Sequence, residues 1–480
     1  MKSLQQDINQ KEYTMKIILL IVVSWCSVKF TCAQTPKVEW AKAIGGIENE
    51  RSNGIETDHE GNIIVVGRFR SPTIHVDDIT VHKKGTDKTE DADIFIIKLD
   101  RNGKAIWAVT AGEAGEDHAT SCITDKQSNI YVIGWFESKF LKFGSVTLTN
   151  KTKKGCDMFV AKFSPHGDCI WATHAGGEGA SGDYSSITLD KDENIVVSGI
   201  AGSVMDFGNG IKFSHEKSGL YVAKYKNDGK LLWAKSPVGK GEAQGVGTDQ
   251  DGNVFVGGFF AASISFDGIT LNAQSEKSGD AFIVKYSPAG VAMWGRSFGG
   301  SDLEIASCET DPFGNVYLGG MFSSKTIIAE NTSLINNGAM NCFVAKYDNN
   351  GKLIWSKSAG GNNGEKPATA TREFYIDENG NALCAGSNWS EFKFAGQTIK
   401  TVAGSEDIFL LKYDKDGNEI WGLDYGGSGR NAGRGITTDK NGNIFLTGSF
   451  DEKALKIGNC TLPNAGESDI FIVKFSERKQ

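Results

Sequence analysis

Seven tryptophans, at positions 40, 107, 171, 233, 294, 355 and 421, recur at intervals of 61 to 67 residues along the chain. A period of that length means a repeat architecture in which each copy is one supersecondary unit. The length agrees: 480 residues are too many for one hydrophobic core, which stops growing beyond ~250–300 residues. Each Trp is followed by a glycine turn, such as Gly45-Gly46, Gly112 or Gly426-Gly427. A short strand then ends in Asp-x-x-(Gly)-Asn, as from Asp58 to Asn62 and from Asp439 to Asn443. Next come an apolar strand ending in glycine and a loop of about twenty residues, usually with an F-G-x-x-L patch such as Phe266 to Leu271. The unit closes on F-x-x-K-aromatic (Phe282 to Tyr286), a turn and the next Trp.

Every unit thus reads as four short strands, A to D, set off by Gly, Asn and Asp turns, with no long segment of helical period. The 59 glycines and only 8 prolines suit such turns and exclude collagen-like or proline-rich chains. One four-stranded sheet per ~60 residues is a propeller blade, buried on both faces by its neighbours. From the last apolar residue of strand C to the next Trp is always eight residues, from Leu99 to Trp107 through to Tyr413 and Trp421. The seventh copy reaches Phe475 without a following Trp, while an unattached strand, 37–44, stands at the start around Trp40. The sequence therefore predicts an all-β fold, a seven-bladed β-propeller of four-stranded blades, closed by the amino-terminal strand completing the last blade. A solenoid would need polar caps at both ends, and none is visible.

Residues 17–28 (IILLIVVSWCSV) are too few for a ~20-residue membrane span but suit the h-region of a secretory signal. With Lys16 before it and Thr31-Cys32-Ala33 preceding Gln34, the reading is a signal peptide over 1–33, with Met15 as a candidate true start, and a propeller over 34–480. The expectation is an exported protein of the periplasm, cell surface or medium, with no transmembrane segment in the mature chain. A net charge of −8 without a basic tract argues against nucleic acid or an anionic membrane as partner. Seven cysteines follow the signal, without C-x-x-C pairs, so neither a disulfide framework nor a zinc site is expected.

The unit D-x-F-V-A-K-Y-D-x-x-G-x-x-x-W-x-K, then G-G, then D-x-x-G-N-x-Y-V-x-G, resembles the bacterial β-propeller repeat family known as SBBP repeats, over about 37–475. That resemblance implies an exported or cell-surface protein of Bacteroidota type, with no general catalytic role. The spacing D-x-x-G-x-x-x-W, at Asp100 to Trp107, Asp348 to Trp355 and Asp414 to Trp421, is similar to the tryptophan-docking motif of quinoprotein propellers. It implies that Trp40, Trp107, Trp171, Trp233, Trp294, Trp355 and Trp421 stack between blades, as suits a flat side chain of large area. Those quinoproteins have eight blades and an adjacent cysteine pair, so no quinone cofactor is expected here.

Asp190-x-Asp192-x-Asn194, Asp249-x-Asp251-x-Asn253 and Asp414-x-Asp416-x-Asn418 imitate the start of a calcium loop. The position of its bidentate Glu holds Ala201, Phe260 and Tyr425. Hairpin turns in which Asp and Asn bond the backbone are the expectation instead, and no metal or cofactor is assigned. Lys98, Lys162, Lys224, Lys285, Lys346, Lys412 and Lys474 recur in strand C. A residue present in every blade is expected to pair with a carboxylate or cover apolar surface, not to serve one active site. The histidines fall in unrelated columns, and neither H-E-x-x-H nor G-x-S-x-G occurs, so no catalytic residue is assigned.

Departures from the repeat supply the binding candidates. Trp135 and Trp389 end B strands, with Arg68 and Asn388 at neighbouring columns, on the face that takes the D-to-A and B-to-C connections. Aromatics beside polar groups suit sugar stacking; packing beneath a long loop is the plainer reading. Glu50, Asp117, Asp183, Glu242 and Asp302 are expected there as solvated loop charge. The function expected is a monomeric, non-catalytic binding or scaffold module of the envelope or extracellular space, with a protein or glycan partner. A polysaccharide lyase or hydrolase working on the long-loop face is the alternative.

Overall fold

The structure, a computed structural model, describes residues 35–85, 90–152, 155–177, 185–216, 218–275, 279–361, 369–402 and 404–477. The expected signal peptide, Asp183 and much of the irregular stretch between Gly360 and Glu373 lie outside these residues. Blade 1 runs Glu50–Thr57 (strand A), Ile63–Phe69 (B), Asp93–Leu99 (C) and Ala105–Ala111 (D), paired in that order. Blades 2 to 6 repeat it, with A strands at Asp117–Thr124, Ser186–Leu189, Val238–Thr248, Glu304–Thr310 and Thr369–Ile376. Blade 7 takes Asn431–Thr438, Ile444–Phe450 and Asp469–Ser476 from one end of the chain and Lys37–Ile44 from the other. That last strand lies antiparallel to Asp469–Ser476, with Trp40 opposite Lys474 and Ile44 opposite Ile470. Innermost strands touch their neighbours all the way round. The fold is a closed seven-bladed β-propeller.

Strands B and C bury both faces because each blade is sandwiched between two others, and the apolar cores are accordingly shared. Ile94 and Ile96 of blade 1 pack with Phe136, Phe143 and Phe159 of blade 2. The B-to-C connection differs from the expected loop: in every unit it is a small β-hairpin, from Thr73–Val76 with Ile79–His82 to Ala454–Ile457 with Cys460–Pro463. Its turn demands positive φ, as at Asp267 (47°) and Gly268 (93°), the geometry that matches strand twist. The inward side of each hairpin plugs a blade junction; Ile74 and Val76 meet Ile44, Ile470 and Ile472.

Two further devices hold the junctions. Each strand-D Trp lies on the C–D turn of the next blade. Trp294 covers Gly351, whose φ is 78° and where a Cβ would sit 2.9 Å from the indole; its Nε1 donates to the Asn349 carbonyl at 3.1 Å. Trp107, Trp171, Trp233 and Trp355 donate likewise to the carbonyls of Pro165, Asn227, Pro288 and Lys415. At the seam the pattern changes. Trp421 donates to the Glu477 carboxylate at 2.9 Å, and Trp40 stacks over Gly103 with its buried Nε1 lacking an acceptor.

The strand-C lysines pair as expected, Lys98 with Asp58 at 2.8 Å and Lys224 with Asp190 at 2.7 Å, all buried. Lys98 also reaches the Pro165 carbonyl of the next blade. Asp190 Oδ1 accepts the amides of Asp192 and Asn194, and its Oδ2 takes the Asn194 side chain. Asp249 and Asp414 are engaged in the same way, so the turn reading of the three calcium-like segments holds.

The D-to-A acids correct an expectation. Glu50 and Asp117 are fully buried rather than solvated, although Asp302 is exposed. Asp117 of blade 2 meets Asp93 of blade 1 around Gly112, where any Cβ would collide with both carboxylates. Asp117 accepts the Glu137 and Ser138 amides and the Ser138 hydroxyl. Asp93 Oδ2 accepts the Lys84 and Gly85 amides, while its Oδ1 has no partner. Burial raises Asp93 to about 6, aided by Asp91, and Asp117 to about 7, aided by Asp93. Glu304 and Asp280 repeat the arrangement between blades 4 and 5, at about 7 and about 6.

Groups raised in the folded state take up protons on folding between pH ~4 and ~7. Their contribution is complete at pH ~4, declines as the pH rises through the folded values, and is level above them. The urea midpoint is therefore expected to be higher at pH 5 than at pH 8. Asp93→Asn, the residue this column carries at Asn341, should narrow that gap; equal midpoints in the unaltered protein would contradict the account.

Candidate functional site

Strand A lines the axis, and part-way along it the chain departs from plain alternation in five blades. Register shifts between Ser52 and Gly54, Ala119 and Ser121, Ala243 and Gly245, Thr371 and Glu373, and Gly433 and Gly435 mark a β-bulge in five blades. A bulge inserts one unpaired residue and re-aims its side chain. Asn53, Thr120, Gln244 and Arg434 are the residues so turned, and all four line one cavity of about 170 Å3 on the axis. All seven blades contribute to its wall, with Arg51, Ser185, Ser307, Thr371 and Glu373 among the rest. The glycine after the bulge admits the adjoining blade: at Gly245 a Cβ would strike the Ser307 hydroxyl and the Cys308 amide.

These side chains also stitch blade to blade. Asn53 donates to the Ala119 carbonyl at 2.8 Å, Thr120 to Ser185 at 3.1 Å, and Ser307 to Gln244 at 3.2 Å. Lower on the axis, the threonines that end strand A form a second belt. Thr57 donates to the carbonyl of Thr438, Thr124 to Thr57, Thr248 to Leu189 and Thr310 to Thr248. Blades 3 and 6 have Leu189 and Ile376 at this position, so neither can donate.

Below the upper cavity lies a second of about 140 Å3, continuous with it through Asn53, Thr120, Gln244 and Glu373. Its wall carries Glu56, Glu309 and Glu373. Burial raises all three: Glu56 to about 7, against the hydrogen bonds it accepts from Thr57 and Thr437, Glu373 to about 8, and Glu309 well above the usual range. Wider cavities of about 390 and 490 Å3 open at the turn face among Asp58, Asp125, Asp190, Asp249 and Asp439. The axis thus passes from two guanidiniums through amides and hydroxyls to a waist of three carboxyls that burial pushes up from their usual range.

None of the sequence candidates Arg68, Trp135, Asn388 and Trp389 lines the upper cavity. Arg68 is the cross-strand partner of Arg51 and so stands beside the cavity wall. Trp135 is buried, its ring centroid 4.1 Å from that of His118. His118 and Arg70 both contact Glu116, at 2.6 and 2.5 Å. Burial alone would raise Glu116, but His118 and the arginines hold it at about 2. Trp389 is half-buried at the end of its strand. Asn388 is fully buried and donates to the Ser390 and Lys400 carbonyls. Sequence reasoning missed the bulge residues and the glutamate waist, because a bulge moves side chains to the opposite face without altering composition.

No protein-family model matches the chain. It is similar to an uncharacterized WD repeat-containing protein of Acanthamoeba polyphaga mimivirus, 21% identical over 579 aligned residues, 98% of this chain and 41% of that protein. The chain thus spans less than half the length of that curated relative. Among solved structures it is similar to a protein of unknown function from Dyadobacter fermentans, with TM-score 0.41, 9% identity, and 92% and 99% of the two chains covered. BamB from Moraxella catarrhalis is also similar, with TM-score 0.38, 12% identity, and 91% and 99% covered.

Proposed function

We propose that the chain is an exported, non-catalytic binding module of the cell envelope or extracellular space, of the SBBP-repeat kind, taking a glycan or protein at its upper mouth. One observation carries this reading: bulges in four separate blades re-aim Asn53, Thr120, Gln244 and Arg434 around one axial cavity instead of leaving strand A in regular alternation. Concave cavities with a few convergent polar groups are where ligands bind. A closed ring holds such groups at fixed separation, which lowers the ordering cost of binding. The apolar run before Gln34 supports export, and the half-buried Trp389 offers an aromatic edge for a sugar or a side chain.

Expression of the full chain in a Gram-negative host should deliver a product beginning at Gln34 outside the cytoplasm. On a glycan array and in whole-cell pull-downs it should retain specific partners, with retention reduced about tenfold or more by Trp389→Ala. Depolymerisation of a captured polysaccharide by the purified protein would overturn the module reading in favour of a lyase or hydrolase.

A further inference from the structure

Just past the bulge, each strand A places one residue opposite the same column of strand B, so that the seven form a tier around the axis. Six of them are glycine or serine: Gly54, Ser121, Ser186, Gly245, Ser307 and Gly435. The next blade packs against this tier, which is why the side chains are small. A Cβ at Gly54 would lie 3.1 Å from the Ser121 Cα, and one at Gly435 3.1 Å from the Ile55 amide nitrogen. Blade 6 departs from the rule with Glu373. An ionisable side chain where packing asks for none is the kind of local inconsistency that marks a functional position. Glu373 lines both the upper cavity of about 170 Å3 and the lower one of about 140 Å3, and so stands at the partition between them. Two other side chains of that partition are tied to backbone of the next blade, Asn53 to the Ala119 carbonyl and Thr120 to the Ser185 carbonyl. Glu373 has only the neighbouring Phe374 amide among the described residues.

We propose that Glu373 is a pH-sensitive gate in the axis: neutral, it closes the partition between the two cavities; ionised, it turns toward water and opens them to each other. The surrounding charges set the direction. Above it, Arg51 and Arg434 of blades 1 and 7 line the upper cavity, each already engaged with partners of its own. Below it stand Glu56 of blade 1, Cys122 of blade 2, Glu309 of blade 5 and Tyr375 of its own strand, with no cationic side chain among the described residues of that wall. Burial raises Glu373 to about 8 against the pull of the Phe374 amide, and Glu309 is raised further by facing Glu373 and Glu56. A carboxylate formed there would sit in a poorly solvated wall opposite other acids, and water drawn down from the upper cavity relieves it. Because the rest of the tier is glycine and serine, no other side chain in it can close the gap once Glu373 has turned. The gate is a property of the axis and stands whether or not the upper mouth holds a ligand.

The test uses the full processed chain and methyl methanethiosulfonate, a small neutral thiol reagent, and reads modification of Cys122 by peptide mass spectrometry. That thiol is buried and lines the lower cavity. At pH 6.5 Glu373→Ser, which gives blade 6 the small residue of the other blades, should be modified about tenfold faster than the unaltered protein or Glu373→Gln. At pH 9 the unaltered protein should come within about twofold of Glu373→Ser, while Glu373→Gln stays about tenfold slower than both. An infrared titration should show a protonated-carboxyl signal that disappears near pH 8 in the unaltered protein and is missing from Glu373→Gln. Urea midpoints check that each variant is folded; if Glu373→Ser does not fold, the comparison of the unaltered protein with Glu373→Gln at pH 9 decides alone. Equal rates for those two at pH 9, equal rates for all three at pH 6.5, or a Glu373 signal that titrates in the ordinary carboxylate range would each overturn the proposal.

Discussion

Removal of Lys37–Ile44 is expected to abolish the cooperative fold rather than trim it. That strand pairs with Asp469–Ser476 over seven residue pairs, and without it the last strand becomes an open edge, a template for aggregation. Ile44, 1% exposed, contributes about 2–3 kcal/mol by burial, and the loss of a docked Trp such as Trp40 about 3 kcal/mol or more. The hairpin residues Ile74 and Val76 lose the partners they share with blade 7. Together the loss is of the order of the ~5–15 kcal/mol by which whole proteins are stable. Circular-dichroism melts and soluble yield would check this. A deletion variant that stayed soluble and melted within a few degrees of the full chain would mean that closure contributes little.

The second large effect concerns the lysine clamp. Asp190→Ala is expected to destabilise the protein by about 3–5 kcal/mol, the usual result of stranding one half of a buried ion pair. Lys224 and Asp190 are 4% and 2% exposed at 2.7 Å, so solvent cannot replace the lost partner. Asp190 also accepts two turn amides and the Asn194 side chain. Burial would raise its carboxyl, but Lys224 and Asn194 outweigh that and hold it below the usual range. The stabilisation is thus present above pH ~4 and lost as the pH falls below it. Replacing both partners, as Asp190→Asn with Lys224→Met, should cost less than Asp190→Ala alone. Urea titration of the three variants decides: a loss under ~1 kcal/mol for Asp190→Ala would place the pair among solvated surface bridges.

Much of this architecture is legible in the primary structure because each unit must solve the same problem. A Trp eight residues beyond Tyr286 or Tyr413 is the D-strand residue that docks on the next blade, and its absence after Phe475 points to Trp40 as the missing copy. Lys98 and Asp58 recur together because each buried charge needs the other. The inter-strand hairpins were hidden by brevity: four-residue strands such as Phe140–Phe143 and Val146–Thr149 show only two inward residues each. The burial of Glu50 and Asp117 was hidden as well, since acids at a turn read as solvated until the neighbouring blade closes over them. At the axis, the one-residue bulges decide whether Asn53 or Arg434 faces the cavity or the sheet, and alternation counted along the chain carries no mark of where they fall.

The seam between blades 7 and 1 is unlike every other spoke. Trp40 there has the stacking over a turn glycine that Trp107, Trp171, Trp233, Trp294 and Trp355 show, but no carbonyl for its indole nitrogen, and one spoke earlier Trp421 is steadied by the side chain of Glu477 instead of rigid backbone. A wheel strained by heat or pulled from outside parts where its fastening is thinnest. This one is expected to open first in the manner of a split washer, beside the sheet that joins its two chain ends.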